Sequence, residues 1–202
     1  MELHLWISLV IVCILGALSP GPSLAVVIKN TINGGAIQGY ATAISHGIGV
    51  GIYAALCVAG LGVVIVNSPV MFQILQYGGA AFLVYLGIKA LMAGKSSAPN
   101  TDEAQIENVN GLRDGFLIAF LNPKLAIFFI ALFSQFIEPD ALMTQKVVMV
   151  ATVGLIDALW YVVVTFALTR GDIINKLKNN AHIVDKVTGV VLISLATRVV
   201  LQ

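Results

Sequence analysis

Charge is what this sequence lacks most. Of its 202 residues only 11 are Lys or Arg and 10 are Asp or Glu, while 58% are hydrophobic and the mean hydropathy is +0.95. A soluble domain devotes about a quarter of its residues to charge because its surface faces water. A water-soluble globule of this composition would expose far too much apolar surface. That excludes a soluble enzyme and a disordered chain, and leaves an integral membrane protein. Neither sign of charge dominates: the formal net charge is +1, so there is no basic field to displace counterions from phosphates, and nucleic acid is excluded as a partner. Cysteine is equally scarce. Cys13 and Cys57 both fall within apolar runs, which excludes a disulfide framework. No cluster of His, Cys and carboxylates suggests a metal site, and no motif calls for a cofactor. Basic residues are missing before the first apolar run, and Pro20 follows the one usable cleavage triplet, Ala17-Leu18-Ser19. The N-terminus therefore reads as a span and not as a cleaved signal peptide.

Where charge is absent is more telling than how little there is. Leu3 to Ile28 carries none, and Asn30 to Ile88 is a run of 59 residues without Asp, Glu, Lys or Arg. A helix needs about 20 apolar residues to cross a hydrocarbon core about 30 Å thick, and only helices satisfy their own backbone in lipid. The turn signal Asn67-Ser68-Pro69 divides the long run, predicting spans near Ala41–Val66 and Met71–Ala93. Further spans are predicted near Gly115–Ile137 and Val147–Thr169. A sixth, around Val187–Thr197, is long enough only if it takes in Ile183–Val184 and Val199–Leu201, with Asp185, Lys186 and Arg198 snorkelling at the interfaces. Six helices is the reading, with five as the alternative. The chain is then one polytopic domain over 1–202: a first half at about 3–93, a linker at 94–114 with Ser-Ser-Ala-Pro-Asn-Thr, and a second half at about 115–202. With six spans, eight Lys and Arg lie on the linker's face and two (Lys146 and Arg198) on the other. That asymmetry puts the linker in the cytoplasm and both termini outside. With five spans the C-terminus moves inside.

Three of the six prolines fall inside predicted spans. Ser19-Pro20-Gly21-Pro22-Ser23 interrupts the first, and Asn122-Pro123-Lys124 the fourth. Proline removes an N–H and clashes with the preceding turn, so both helices should kink or unwind. Each break lies in the first helix of a three-helix half. An odd number of helices per half makes the second half cross in the opposite sense. Paired interruptions at corresponding places are the sequence pointer to an inverted-repeat transporter with its site near the midplane. Unwound backbone offers N–H and C=O groups to a cavity, which suits a small ligand with one anionic and one cationic end. The alternative is that the prolines only kink helices for packing.

Two charges are stranded at depth, Lys124 beside Pro123 and Asp157 in the middle of the fifth span. A lone charge there costs about 2.5–3.5 kcal/mol, so each must pair or face water. Asp157 reads either as a proton or ammonium site or as half of a static salt bridge with Lys124. Tyr161 and Thr165 extend a polar stripe from it at i+4 and i+8. His46 is a candidate proton relay, set against the plainer role of hydrogen-bonding a neighbouring helix. Gln135 reads as an interfacial residue. Gly39, Ala43, Gly47, Gly51, Ala55 and Ala59 place a small residue at every fourth position, a stripe that lets another helix approach closely; Gly47 and Gly51 are its centre.

Leu18-Ser19-Pro20-Gly21-Pro22-Ser23, then Asn33-Gly34-Gly35 with Gly39, then Gly115-Phe116, Leu121-Asn122-Pro123-Lys124 and Phe128-Phe129 resemble the LysE/RhtB family of amino-acid exporters, in order and spacing, from about Leu3 to Val200. The resemblance implies six helices in two inverted repeats, and efflux of amino acids or close derivatives driven by the proton gradient. It also implies the bacterial inner membrane, often with a homodimer. The chain departs from the family at Ser134-Gln135-Phe136, where a proline is common, so a third kink is expected to be missing. It departs again at Ala196, where glycine is common. The expected site comprises Pro20, Gly21, Pro22, Ser23, Asn122, Pro123 and Lys124 around the substrate, with Asp157 and His46 carrying the proton. Two rivals stand beside this reading. A thiol–disulfide carrier would need a cysteine at each break, where Gly21 and Asn122 stand. A metal or ion exporter would need several converging ligands.

Overall fold

The computed structural model describes residues 3–19, 21–92, 109–137, 141–170 and 173–200. All regular structure among them is helical: α1 (Leu3–Leu18), α2 (Pro22–Asn67), α3 (Pro69–Met92), α4 (Gly111–Phe120), α5 (Pro123–Phe133), α6 (Met143–Thr169) and α7 (Ile173–Val200). Side chains of 123–124, 173–181, 184 and 198–200 lie outside the description. Among the described residues three helices, α2, α3 and α6, are long and apolar enough to cross a membrane, and α4 with α5, bent by 57°, make a fourth if the pair is one span. The protein is therefore a multi-pass membrane protein built from helices.

Both breaks occur where proline was found, and each is followed by a helix that opens on proline. Pro22 starts α2 and Pro123 starts α5, the first-turn position where a missing N–H and a fixed φ cost nothing. The carbonyls of Gly21 and Asn122 accept the first bonds of these helices, from Ala25 at 3.2 Å and from Ala126 at 3.2 Å. The predicted first span, Leu3 to Ile28, is thus two helices separated at Ser19–Gly21. Ser134 to Phe136 form turns after α5 ends, with Ser134 Oγ donating to the Ala131 carbonyl at 2.8 Å. There α5 ends without proline, where the chain lacks the residue expected to kink it.

The span predicted over Ala41–Val66 is the second part of α2. At 46 residues, α2 would be about 69 Å long if straight, more than twice the hydrocarbon thickness. It is not straight. Gly35 has φ 76° and ψ 179°, a conformation open essentially to glycine alone, and it separates an arm at 22–34 from a long arm at 36–67.

The long arm packs on α6 and α4, and α3 packs on α7. Small residues set these distances. A Cβ on Gly47 would stand 2.5 Å from Ala158 Cβ and 2.8 Å from the Gly154 carbonyl, and a Cβ on Gly154 would meet the Gly47 carbonyl at 3.1 Å. Gly87 and Gly189 repeat the reciprocal arrangement between α3 and α7, at 2.8 Å and 2.6 Å. A Cβ on Gly51 would meet nothing within 4 Å, although its Cα lies 3.3 Å from where a Gly154 side chain would begin. The opposite faces are apolar and exposed, as in the row Ile44, Ile48, Ile52 and Leu56 on α2 and the row Leu155, Leu159 and Val163 on α6, the sides suited to lipid tails. Trp6 Nε1 donates to Thr152 Oγ1 at 3.0 Å, tying α1 to α6. The start of α4 is held against α2 by polar bonds: Gly111 N–H donates to Gln38 Oε1 at 2.7 Å, and Asn30 Nδ2 to Asp114 Oδ2 at 3.3 Å.

Candidate functional site

Both breaks open on one cavity of about 710 Å³. Ser19, Gly21, Pro22 and Ser23 line it from the first break, Asn122 from the second, and His46, Asp157 and Tyr161 from the long arm of α2 and from α6. Its apolar wall comes from Val50, Leu125, Phe128, Phe129, Val153 and Leu192. Lys89, exposed in the last turn of α3, stands at one end. The volume is within the range of about 300–1,000 Å³ usual for small-molecule sites.

The close α2–α6 crossing produces the central polar contact. His46 and Asp157 are the chain neighbours of Gly47 and Ala158, so bringing those two backbones together brings the two side chains within reach. His46 Nδ1 lies 2.6 Å from Asp157 Oδ2, short for an N–H···O bond and characteristic of a charge-assisted one. His46 is 1% exposed and Asp157 14%, so the carboxylate is the member open to the cavity. With Asp157 ionised, Nδ1 carries the proton. The other ring nitrogen, Nε2, is buried with no hydrogen-bond partner among the described residues. The ring lies edge-on to Tyr161, with centroids 4.9 Å apart, and Tyr161 in turn faces Ser23 at the first break.

The residues singled out in the sequence therefore fall in different places. Gly21, Pro22, Ser23, Asn122, His46 and Asp157 share the cavity wall. Pro20, and the side chains of Pro123 and Lys124, lie outside the described residues, so the Lys124–Asp157 bridge does too; the partner that Asp157 does have is His46. The polar stripe from Asp157 divides: Tyr161 lines the cavity, but Thr165 is fully buried against Gly39. Gln135 is interfacial, donating through Nε2 to the Gln76 carbonyl of α3 at 3.1 Å. Cys13 and Cys57 are unbonded buried thiols, of which Cys13 lines the cavity. Among the described residues no group of three or more His, Cys, Asp or Glu could hold a metal ion.

One residue was misread. The sequence suggested that Asp185 snorkels at an interface. The structure buries it, 4% exposed, on the cavity wall, where its Oδ1 accepts from Ser19 Oγ at 3.3 Å. The signal that could have found it is spacing: Asp185, Thr188 and Leu192 at i, i+3 and i+7 form one face of α7, and all three line the cavity.

Residues 14–202 match the family described as LysE type translocator. An uncharacterized membrane protein of Bacillus subtilis is 23% identical over 206 aligned positions, covering 97% of this chain and 98% of that protein. A leucine efflux protein of Klebsiella pneumoniae is 27% identical over 90% of this chain and 87% of its own length. One from Salmonella choleraesuis is 34% identical over 61% and 59%. No solved structure matches the chain.

Proposed function

The chain belongs to the LysE type translocator family, and from that premise we propose that it is a secondary transporter exporting an amino acid, leucine or a close apolar relative, in exchange for protons. The observation that carries this reading is the His46–Asp157 pair, buried on one side and facing on the other a cavity that both helix breaks line. Leucine as the substrate follows from the efflux proteins to which the chain is similar and from the apolar wall of the cavity.

The chemistry of the cavity suits a zwitterion. α2 and α5 begin at its edge on Pro22 and Pro123, and a helix N-terminus presents unpaired N–H groups and the positive end of its dipole, favourable to a carboxylate. Asn122 adds a side-chain partner at the second break. Phe128, Phe129, Val50 and Val153 give an apolar side chain a surface to bury. Asp157 holds the coupled proton. When it is ionised, His46 N–H stabilises it; when a proton arrives, the short bond relaxes and the α2–α6 junction changes its charge. That differential supplies the bias between the two openings of the cavity that alternating access requires.

An inverted repeat of two three-helix halves supports the rocking motion. Pro22 and Pro123 are 101 positions apart, Gly87 and Gly189 102, and Gly47 and Gly154 107, a nearly constant offset between matched features of the two halves. Six spans follow if α1 with the short arm of α2, the long arm, α3, α4 with α5, α6 and α7 each cross once. The charge asymmetry then puts both termini in the periplasm and the chain in the inner membrane. In that orientation Lys89, on the cavity wall, stands toward the cytoplasmic side.

The test is efflux from cells preloaded with labelled leucine, with the native chain, Asp157→Asn and Pro123→Ala. The native chain should lower retained leucine, and Asp157→Asn should lose the dependence of export on external pH. Export unchanged across pH in Asp157→Asn would sink the coupling assignment.

A further inference from the structure

We propose that Tyr161 is the positioning residue through which the charge state of the His46–Asp157 pair is felt at the first break, where Ser23 lines the cavity. The inference rests on the cavity being a proton-coupled transport site. Exchange requires that a proton at the pair and a substrate at the breaks alter each other's binding, and such coupling needs an element that both sites bias. The backbone of α2 does not serve by itself. Ser23 and His46 both belong to α2, but Gly35, at φ 76°, separates the arm that carries Ser23 from the arm that carries His46. A contact that crosses the bend from outside the helix is needed, and α6 supplies it.

Tyr161 lies one turn after Asp157, on the same face of α6, and is 4% exposed. Its ring meets His46 edge-on, the planes at 78°, and its hydroxyl faces Ser23. Leu24, Val27 and Ile28 of the short arm and Ala43 of the long arm form one buried cluster with Tyr161 and Val164, so a single rigid side chain is wedged between the two arms. Packing alone does not call for the hydroxyl. Phenylalanine would fill the same space, and a phenol O–H is costly to bury without a partner. Among the described residues the His46 ring has one polar tie, the Nδ1 contact with Asp157, since Nε2 is buried with no hydrogen-bond partner. When protonation relaxes that tie, the imidazole turns against the Tyr161 ring, and the displacement reaches the Ser23 hydroxyl at the start of α2. The titratable groups around the pair are Tyr161 itself, Cys13 from α1, which lies near Asp157, and, on the cavity wall, Asp185 from α7 and Lys89 from α3. Of these, Tyr161 belongs to the buried cluster that joins the arms.

The experiment is leucine homoexchange by the full chain in liposomes with equal pH on both sides, the half-saturating leucine concentration being read at about pH 6 and about pH 8. Proton and leucine oppose each other in an exchanger, so the native value should be higher at the acid end by at least about fivefold, the lower bound of usual coupling between sites. Tyr161→Phe, which keeps the ring, and Ser23→Ala should each shrink that ratio below about twofold. Ser23→Thr, which keeps a hydroxyl, should retain it. Combining Tyr161→Phe with Ser23→Ala should shrink it no further, as expected of two ends of one link. A native ratio in Tyr161→Phe overturns the assignment. So does a shift by the same factor at both pH values, because packing or direct binding alone would act alike at each. The Ser23 variants decide the matter if Tyr161→Phe does not fold: a native ratio in Ser23→Ala overturns it equally. Absence of exchange by the native chain, or a native half-saturating concentration indifferent to pH, overturns the proton-coupled transport reading itself, a distinct failure.

Discussion

His46 and Asp157 illustrate how a polar pair in a membrane protein is made by its apolar surroundings. Neither side chain reaches the other unless α2 and α6 approach at the glycine and alanine beside them. Removing one partner leaves the other buried and unpaired, at a cost of about 1–3 kcal/mol. His46→Leu should therefore lower the thermal unfolding midpoint in detergent and abolish the pH response of export together. A variant that keeps full stability with no pH response would separate the two roles. The residue types at the site were legible in the sequence, because an ionisable group in an uncharged run has few explanations. The pairing was not: it depends on the register between two helices about 110 positions apart, which no local pattern encodes. Asp185 was hidden for the converse reason. With Lys186 next to it and the lowest apolar content of any predicted span around it, it reads as a helix end, and only the packing of α7 against Ser19 turns it inward.

At the scale of the helices, proline and glycine divide the work. Both proline breaks were visible as sequence, and each resumes as a helix with proline in its first position. The bend at Gly35 was visible only as an Asn-Gly-Gly motif, since the helical pattern on either side runs through it. Gly35→Ala forces a side chain into φ 76°, and should cost about 1–3 kcal/mol, read as a lower unfolding midpoint. The small-residue stripe makes a sharper contrast. Gly47→Ala puts a methyl group against the Gly154 backbone at 2.8 Å, whereas Gly51→Ala meets open space. Overpacking of that kind costs about 1–3 kcal/mol. Gly47→Ala should thus destabilise the protein and weaken export by parting His46 from Asp157, with Gly51→Ala close to native in both. Equal effects in the two variants would contradict the α2–α6 packing described here.

For the whole molecule, the scarcity of charge identified the solvent, and the bias of Lys and Arg to one face is the ground for the proposed orientation. The helices α1 and α7 are where hydropathy alone runs short: α1 has 16 residues and needs the arm of α2 beyond the break to complete a crossing, and α7 begins in charged sequence. The proposed six crossings would put the C-terminus in the periplasm, so alkaline phosphatase fused after Gln202 should be active there; an inactive fusion with a cytoplasmic reporter active at the same point would establish five. The central claim concerns exchange of leucine for protons through the cavity between the breaks. Its most direct measurement is leucine-dependent proton movement, followed with a trapped pH-sensitive dye in liposomes containing the native chain or Asp157→Asn. The account predicts that a leucine gradient drives protons the opposite way in native vesicles and that Asp157→Asn uncouples them. Leucine flux in the native chain with no proton movement, or proton movement undiminished in Asp157→Asn, would contradict it.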